Sequence, residues 1–342
     1  MSALWFSALG FGNLGFDALE LDRAAVLVLA ASLDRLVGDP WGWPHPVQAM
    51  GWIIGRLSQG IFRLKLPPGG ERFLGIGLGL GIIVGSGAVG WGLVNLAGSV
   101  HPAAGLGIEV VLLASCFAGR SLRQAAGDVL TPLASGDIPA ARDRLSLYVG
   151  RDTEHLDAPE ILRAVLETVS ENATDGVLAP LFYALVGALL PVGSVPVALA
   201  YKAASTLDSM VGYREAPYTH LGWFSARFED ALTWVPCRLT VATIALLSGR
   251  PGQVWHLCRR DAPADPSPNA GWSECAYAAA LGVQLGGRNW YRGQVKEKPL
   301  LGDAEQPIKG DRILQALSLT RRAALLWLTL GITLLAAQTY LR

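Results

Sequence analysis

The densest run of reactive side chains is Glu167-Thr168-Val169-Ser170-Glu171-Asn172-Ala173-Thr174-Asp175-Gly176. Glu167, Glu171 and Asp175 stand at i, i+4 and i+8, so on a helix the three carboxylates share one face. Stacked acids repel one another, and acids near a helix C-terminus also oppose the helix dipole. A solvated acidic face at a helix end is the plain reading. Two local costs with no visible relief favour a metal ion or cationic partners instead, and an all-oxygen ligand set favours Mg2+ over zinc. The run opens into an uncharged stretch over 176–201, which sets the acids at a membrane surface.

Four further constellations carry polar chemistry. Asp34-Arg35-Leu36-Val37-Gly38-Asp39-Pro40 ends a first apolar helix and leads into Trp41-Gly42-Trp43-Pro44-His45-Pro46-Val47. Pro40, Pro44 and Pro46 hold that chain extended and would project Asp39 and His45 from the membrane end. An interfacial belt anchored on Trp41, Trp43 and Trp52 is the competing reading. In residues 201–214, Lys202, Thr206 and Ser209 share a helical face suited to phosphate oxygens, while Asp208 lies off that face where it could ligate a metal. Arg227, Glu229, Asp230 and Arg238 flank an apolar segment, as an ion-pair lock or an anion site. Ser267-Pro268-Asn269-Ala270-Gly271-Trp272 and Leu285-Gly286-Gly287 read as a turn-rich loop able to reach over the site as a lid.

The elements that must position these groups are membrane helices. Of 342 residues, 51% are hydrophobic and only 16% charged, against about a quarter charged in ordinary soluble domains. Lys plus Arg (28) balances Asp plus Glu (28), so no net field attracts nucleic acid. A bilayer core needs about 20 apolar residues in a helix. The charge-poor stretches place segments at about 24–37, 73–98, 102–119, 176–201, 231–249 and 323–341, giving an all-α, polytopic bundle of five to six membrane segments in a single integral membrane domain. Pro191, Gly193 and Pro196 interrupt 176–201, which we read as a re-entrant hairpin whose broken helices line a site. Arg56, Arg63, Lys65 and Arg72 orient loop 56–72 to the cytoplasm, and with it the polar regions 120–175 and 250–322. The uncharged first 16 residues lack the basic region of a signal peptide and are not expected to be cleaved. Gly85-Ser86-Gly87-Ala88-Val89-Gly90 matches a dinucleotide fingerprint but lies inside an uncharged span; helix packing explains it and the Gly75/Gly79 and Gly81/Gly85 spacings better. Cys116, Cys237, Cys258 and Cys275 form no C-x-x-C pair, and three of them sit in apolar or small-residue surroundings that favour an inert buried thiol. There is no G-x-S-x-G elbow, H-E-x-x-H or phosphate-binding glycine loop.

Taken in order, these blocks resemble the CobD/CbiB family of cobalamin biosynthesis, the cobinamide-phosphate synthases. The landmarks are Asp34-Arg35 with Gly38-Asp39-Pro40, Pro44-His45-Pro46-Val47, Glu167-Thr168, Glu171-Asn172, Asp175-Gly176, Tyr201-Lys202, Thr206-Leu207-Asp208-Ser209-Met210 and Ser267-Pro268-Asn269-Ala270-Gly271, over about 24–311. Ser205, Glu229 and Thr233 stand where the family usually has Asn, Asp and Asn. The resemblance implies a multi-pass enzyme of the cell (inner) membrane with its active site facing the cytoplasm. It would join a propionate carboxylate of cobyric acid to aminopropanol or its O-phosphate by ATP-dependent amide ligation, with Mg2+ as the expected metal. In that reading Glu167, Glu171, Asp175 and Asp208 are metal ligands and Lys202, Arg214 and Arg227 clamp phosphates. Arg35, Asn172, Thr206, Ser209 and Asn269 bind substrate or phosphate. Asp39 or His45 takes the proton from the attacking ammonium, with Glu171 and Lys202 also catalytic. Partners are the corrinoid and amino-alcohol substrates and the lipid bilayer, with self-association or contact with other enzymes of the pathway left open. A transporter and a metal-dependent membrane transferase acting on phospho-alcohols are the rival classes; transporter acids belong near the bilayer midplane, and here they cluster at span ends.

Overall fold

The computed structural model describes residues 18–38 and 45–340. Thirteen α-helices carry that part of the chain, and several start where proline and a polar cap coincide. Helix α1 is Ala18–Leu36. The His45 side chain accepts the Val47 N–H at 3.2 Å and Pro46 opens α2 (Pro46–Arg63); His101 and Pro102 repeat the device between α3 (Pro68–Val100) and α4 (Pro102–Ala114). A side-chain acceptor satisfies an N–H that the helix itself leaves orphaned, and proline at the first position gives up none. Helices α5 (Gly119–Ala134), α6 (Ile138–Ser146) and α7 (Ala158–Asn172) follow, with Asp137 and Asp157 capping the last two. A π-helical turn, Ala173–Leu178, joins α7 to α8 (Ala179–Leu189). The later elements are α9 (Ser194–Val211), α10 (Trp223–Leu247), α11 (Pro251–Asp261), α12 (Ala270–Leu281), a hairpin of β1 (Leu285–Tyr291) and β2 (Gln294–Leu301), and α13 (Gly310–Tyr340).

The chain folds as two compact units. The first comprises the segment up to Phe117, Pro180–Glu229 and the segment from Leu325. In it α9 lies along α3, α4 and α2, and Tyr183 stacks on Tyr201 at 4.7 Å, closing α8 and α9 into a hairpin broken at 190–193. Glycines let α3 approach its neighbours: a Cβ at Gly75 would stand 2.1 Å from the Leu221 carbonyl oxygen, and one at Gly79 2.5 Å from the Phe224 ring. Gly81 and Gly85, the other pair at that spacing, face open space within 4 Å. The small-residue reading of α3 therefore holds for one pair and not for the other.

The second unit comprises Ala118–Ala179 and Asp230–Ala324. It contains the one departure from an all-helical chain among the described residues, the two-stranded hairpin. Arg292 and Gly293 both take positive φ, 52° and 75°, at the two-residue turn that such hairpins favour. The Asp152 carboxylate accepts their N–H groups at 2.9 and 2.7 Å, and the Asp152 N–H reaches the Trp290 carbonyl at 2.8 Å. Leu285-Gly286-Gly287, read from sequence as part of a lid, is strand β1 and is fastened down at both backbone polar groups of Gly286.

Among the described residues four helices are long and apolar enough to cross a membrane: Pro68–Val100, Ala158–Leu189, Trp223–Leu247 and Gly310–Gln338. The pair Pro102–Ala114 and Gly119–Ala134, bent by 41°, makes a fifth if it is one span. Helix α1 does not meet that measure; with the bent pair as one span, the count among the described residues reaches the lower end of the five to six of the sequence reading.

Gly75→Ala should lower the thermal midpoint of the detergent-purified protein, by overpacking worth about 1–3 kcal/mol. Gly77→Ala, with nothing within 4 Å of its would-be Cβ, should leave it unchanged or raise it by up to about 1 kcal/mol through helix propensity. Equal midpoints for the two variants would contradict the close approach of α3.

Candidate functional site

Glu167 sits near the middle of α7 with 1% of its surface exposed. Its Oε1 accepts from Arg163 Nη1 at 2.8 Å and from the Gly286 N–H at 2.9 Å, and its Oε2 accepts from Arg151 Nη2. Arg163 also donates to the Gly286 carbonyl (2.6 Å), the Arg288 carbonyl (3.1 Å), Asn289 Oδ1 (3.1 Å) and Glu160. Arg151 Nη1 completes the circle on Asn289 Oδ1 at 2.6 Å. Buried charge is tolerated when it is paired and hydrogen-bonded on every side, and here one carboxylate and two guanidiniums join α7 to the loop before it and to β1. A cleft of about 390 Å3 opens beside this node, lined by His155, Glu160, Arg163, Gly286, Arg288 and Trp290 among others.

One turn further along α7 the surroundings change. Glu171 is half-buried, and no donor among the described residues reaches its carboxylate. Lys298, Asp265, Glu167 and Arg151 act on it electrostatically. Lys298 of β2 donates to Glu274 Oε1 at 3.1 Å, with the Glu274 side chain fully buried and that of Lys298 23% exposed. Burial pushes the Glu274 carboxyl up to about 8, and Glu171 and Glu167 push the same way against the pull of Lys298. Burial alone would lower the Lys298 ammonium, but Glu274, Glu167 and Glu171 together raise it above the ordinary lysine range. Buried Glu274 and half-buried Glu171 compete for one lysine, so the charge held most firmly is the ammonium. Beneath them Ser273 Oγ donates to the Ser170 carbonyl at 2.6 Å and contacts Thr174 Oγ1 at 2.7 Å, locking α12 to α7.

Within the second unit, Glu167, Glu171 and Asp175 do not gather as a three-carboxylate metal site. Both Glu167 oxygens accept from arginines or a backbone N–H, so its charge is already neutralised within the protein. Asp175 lies in the π turn outside the α-helix that carries Glu167 and Glu171. Among the described residues no three His, Cys, Asp or Glu side chains gather as a metal site. The described residues therefore offer no three-carboxylate set for a metal ion.

The other expected residues divide between the units. Asn269, buried at the start of α12, donates to the Asp230 carbonyl at 2.9 Å and accepts from Arg238 at 3.3 Å. Asn172 is exposed and donates back to the Thr168 carbonyl at 2.9 Å. In the first unit, Lys202, Thr206 and Ser209 lie on α9, but both hydroxyls are spent on the helix itself: Thr206 donates to the Lys202 carbonyl at 2.7 Å and Ser209 to the Ser205 carbonyl at 2.9 Å. Arg214 and Arg227 are exposed, as is Arg35 in the last turn of α1. His45 spends Nδ1 on its helix cap. Asp39 lies outside the described residues. Arg151, Asn289, Glu274 and Lys298 were missed by the motif reading. Glu274 carried a signal, a lone acid in the Ala-rich run Ala270–Leu281; Lys298, in a polar strand, carried none.

Helices able to cross a membrane and a buried carboxylate–lysine site define a polytopic helical membrane protein with an internal polar centre. The CobD/Cbib protein family matches residues 27–320, and the chain belongs to that family. It is 55% identical over 316 residues to the cobalamin biosynthesis protein CobD of Synechocystis, covering 92% of each chain. It is 44% identical over 293 residues to the CobD of Geobacter metallireducens (84% of this chain, 89% of that one) and 42% identical over 323 residues to the cobalamin biosynthesis protein CbiB of Salmonella typhimurium (90% and 95%). No solved structure matches the chain.

Arg163→Ala should strip Glu167 of one counter-charge and β1 of its anchor, costing about 3–5 kcal/mol as for other broken buried pairs; a thermal midpoint equal to that of the parent would show the node to be dispensable. An unfolded glutamate titrates near 4.3. Between there and about 8 the folded chain keeps a proton on Glu274 that the unfolded chain releases, so stability should fall as pH rises through that window. Melting measured from pH 5 to 8 should show the decline, and Glu274→Gln should flatten it.

Proposed function

We propose that this chain acts in cobalamin biosynthesis as an amide ligase of the cell membrane, working on its cytoplasmic side. It joins a propionate carboxylate of (adenosyl)cobyric acid to aminopropanol or aminopropanol O-phosphate at the expense of ATP. The observation that carries the reading is the match over more than nine-tenths of the chain to a protein named for this pathway. The charge arrangement of the second unit supports it.

A carboxylate does not condense with an amine at neutral pH, because its carbonyl carbon is too electron-rich. Transfer of the γ-phosphoryl group of ATP to a carboxylate oxygen gives an acyl phosphate and ADP. The amine nitrogen then attacks the acyl carbon, the C–O bond to phosphate breaks, and the amide and inorganic phosphate leave. The amine binds as an ammonium and must lose protons to complete the step. Glu171 is suited to receive one of them. It has no hydrogen-bond donor of its own, it lies within reach of solvent, and acids outnumber lysine around it. It holds the ammonium and accepts its proton as general base, a role usually worth about 10²–10⁴ in rate. Lys298 offsets anionic charge in the same centre. Mg2+ enters as the counter-ion of the nucleotide and not on Glu167.

Purified protein in nanodiscs, given adenosylcobyric acid, aminopropanol phosphate and MgATP, should yield a corrinoid heavier by the amino-alcohol phosphate less one water. Mass spectrometry of the corrinoid, with phosphate release followed in parallel, measures this. Glu171→Gln should remain folded and lose at least about a hundredfold in turnover. No amide product with either amino-alcohol overturns the ligase reading; product at the parent rate from Glu171→Gln removes Glu171 as the base while leaving the activity standing.

A further inference from the structure

Arg238 stands apart from both the Glu167 node and the Glu171 centre. It lies on α10, half-buried, and among the described residues it has no carboxylate partner. Its guanidinium packs on two indoles, with the central carbon 4.4 Å from the Trp272 ring centre and 5.1 Å from that of Trp234. Its one hydrogen bond is from Nη1 to Asn269 Oδ1 at 3.3 Å, and Asn269 is itself held by its bond to the Asp230 carbonyl at 2.9 Å. Sequence alone leaves this arginine between an ion-pair lock and an anion site; the missing acid removes the lock.

A guanidinium has five N–H donors in one plane. Aromatic faces stabilise the charge without using any of them. Asn269 takes one, which leaves a rigid, partly desolvated fork whose remaining donors match two oxygens on one centre. Around it Trp234 (51%), Val235 (44%), Leu239 (44%) and Trp255 (43%) are exposed, on and beside a helix long and apolar enough to cross a membrane. Arg238 lies inside the apolar stretch of that helix, where a charge with no acid partner among the described residues marks a ligand site.

We propose that Arg238, stacked on Trp234 and Trp272 and oriented by Asn269, is a phosphate-binding site at the lipid boundary of the second unit. The ligand chemistry is a phosphate mono- or diester oxyanion, from an anionic lipid headgroup or from a phosphorylated solute. The site does not use the Glu171 centre, and its binding test stands whether or not the ligase reading does.

The test uses the full-length protein in detergent micelles. Phosphatidylglycerol and phosphatidylcholine are titrated as mixed micelles, and inorganic phosphate against chloride at matched ionic strength, with retained lipid read by native mass spectrometry and phosphate by the shift in thermal midpoint. The parent should prefer phosphatidylglycerol, and Arg238→Gln should lose about tenfold or more of that preference, the worth of one charge-assisted hydrogen bond. Arg238→Lys should recover only part, since it restores charge without the fork. Asn269→Asp, which supplies an internal carboxylate, should abolish the preference as fully as Arg238→Gln and gives a second reading if that variant does not fold. A response confined to the lipid arm assigns the headgroup as the source; a response to inorganic phosphate as well assigns a soluble phosphate ester. Undiminished preference in both folded variants overturns the proposal.

Discussion

The second unit is organised around the neutralisation of one buried carboxylate. Glu167 is almost wholly withdrawn from solvent, a position that an unpaired acid would escape by protonation. Arg151, Arg163 and the Gly286 amide answer it together. Because Arg163 also holds two carbonyls of β1 and shares Asn289 with Arg151, the same charges that satisfy Glu167 also set where the hairpin lies. Replacing any member leaves the others buried and unmatched, which is why such a node acts as a unit.

That constraint separates two neighbouring acids of similar appearance. Glu167 is saturated and serves as a strut. Glu171, one helical turn on, keeps an unclaimed carboxylate, and the lysine that acts on it most strongly is already bound to Glu274. A saturated carboxylate is chemically inert, whereas an unsatisfied one next to a cation and other acids is poised to take a proton. The hairpin contributes to both states, supplying Gly286 to the first and Lys298 to the neighbourhood of the second.

The first unit depends on a different principle. Its helices come close where α3 presents glycine, and the carbonyl of Leu221 and the ring of Phe224 occupy the space that side chains would fill. The charged residues of α9 sit on this scaffold, with their neighbouring hydroxyls turned onto the helix backbone. Tight helix packing thus fixes the frame, and the polar groups are carried on it.

How much of this was legible in the sequence follows from the range of the interactions. Long uncharged runs marked the apolar helices because hydropathy is a property of adjacent residues, and Pro191 with Gly193 marked the break between α8 and α9 for the same reason. Ordered blocks such as Glu171-Asn172 and Ser267-Pro268-Asn269-Ala270-Gly271 were enough to point to the family. The fate of Glu167 was not legible: at i, i+4, i+8 it looked like a third of a metal site. Its partner Gly286 lies 119 positions away, and Arg151 meets Asn289 across 138. Local periodicity puts carboxylates on a face, but only the folded chain decides which cations reach them, because pairing depends on distance in space and not on order along the chain.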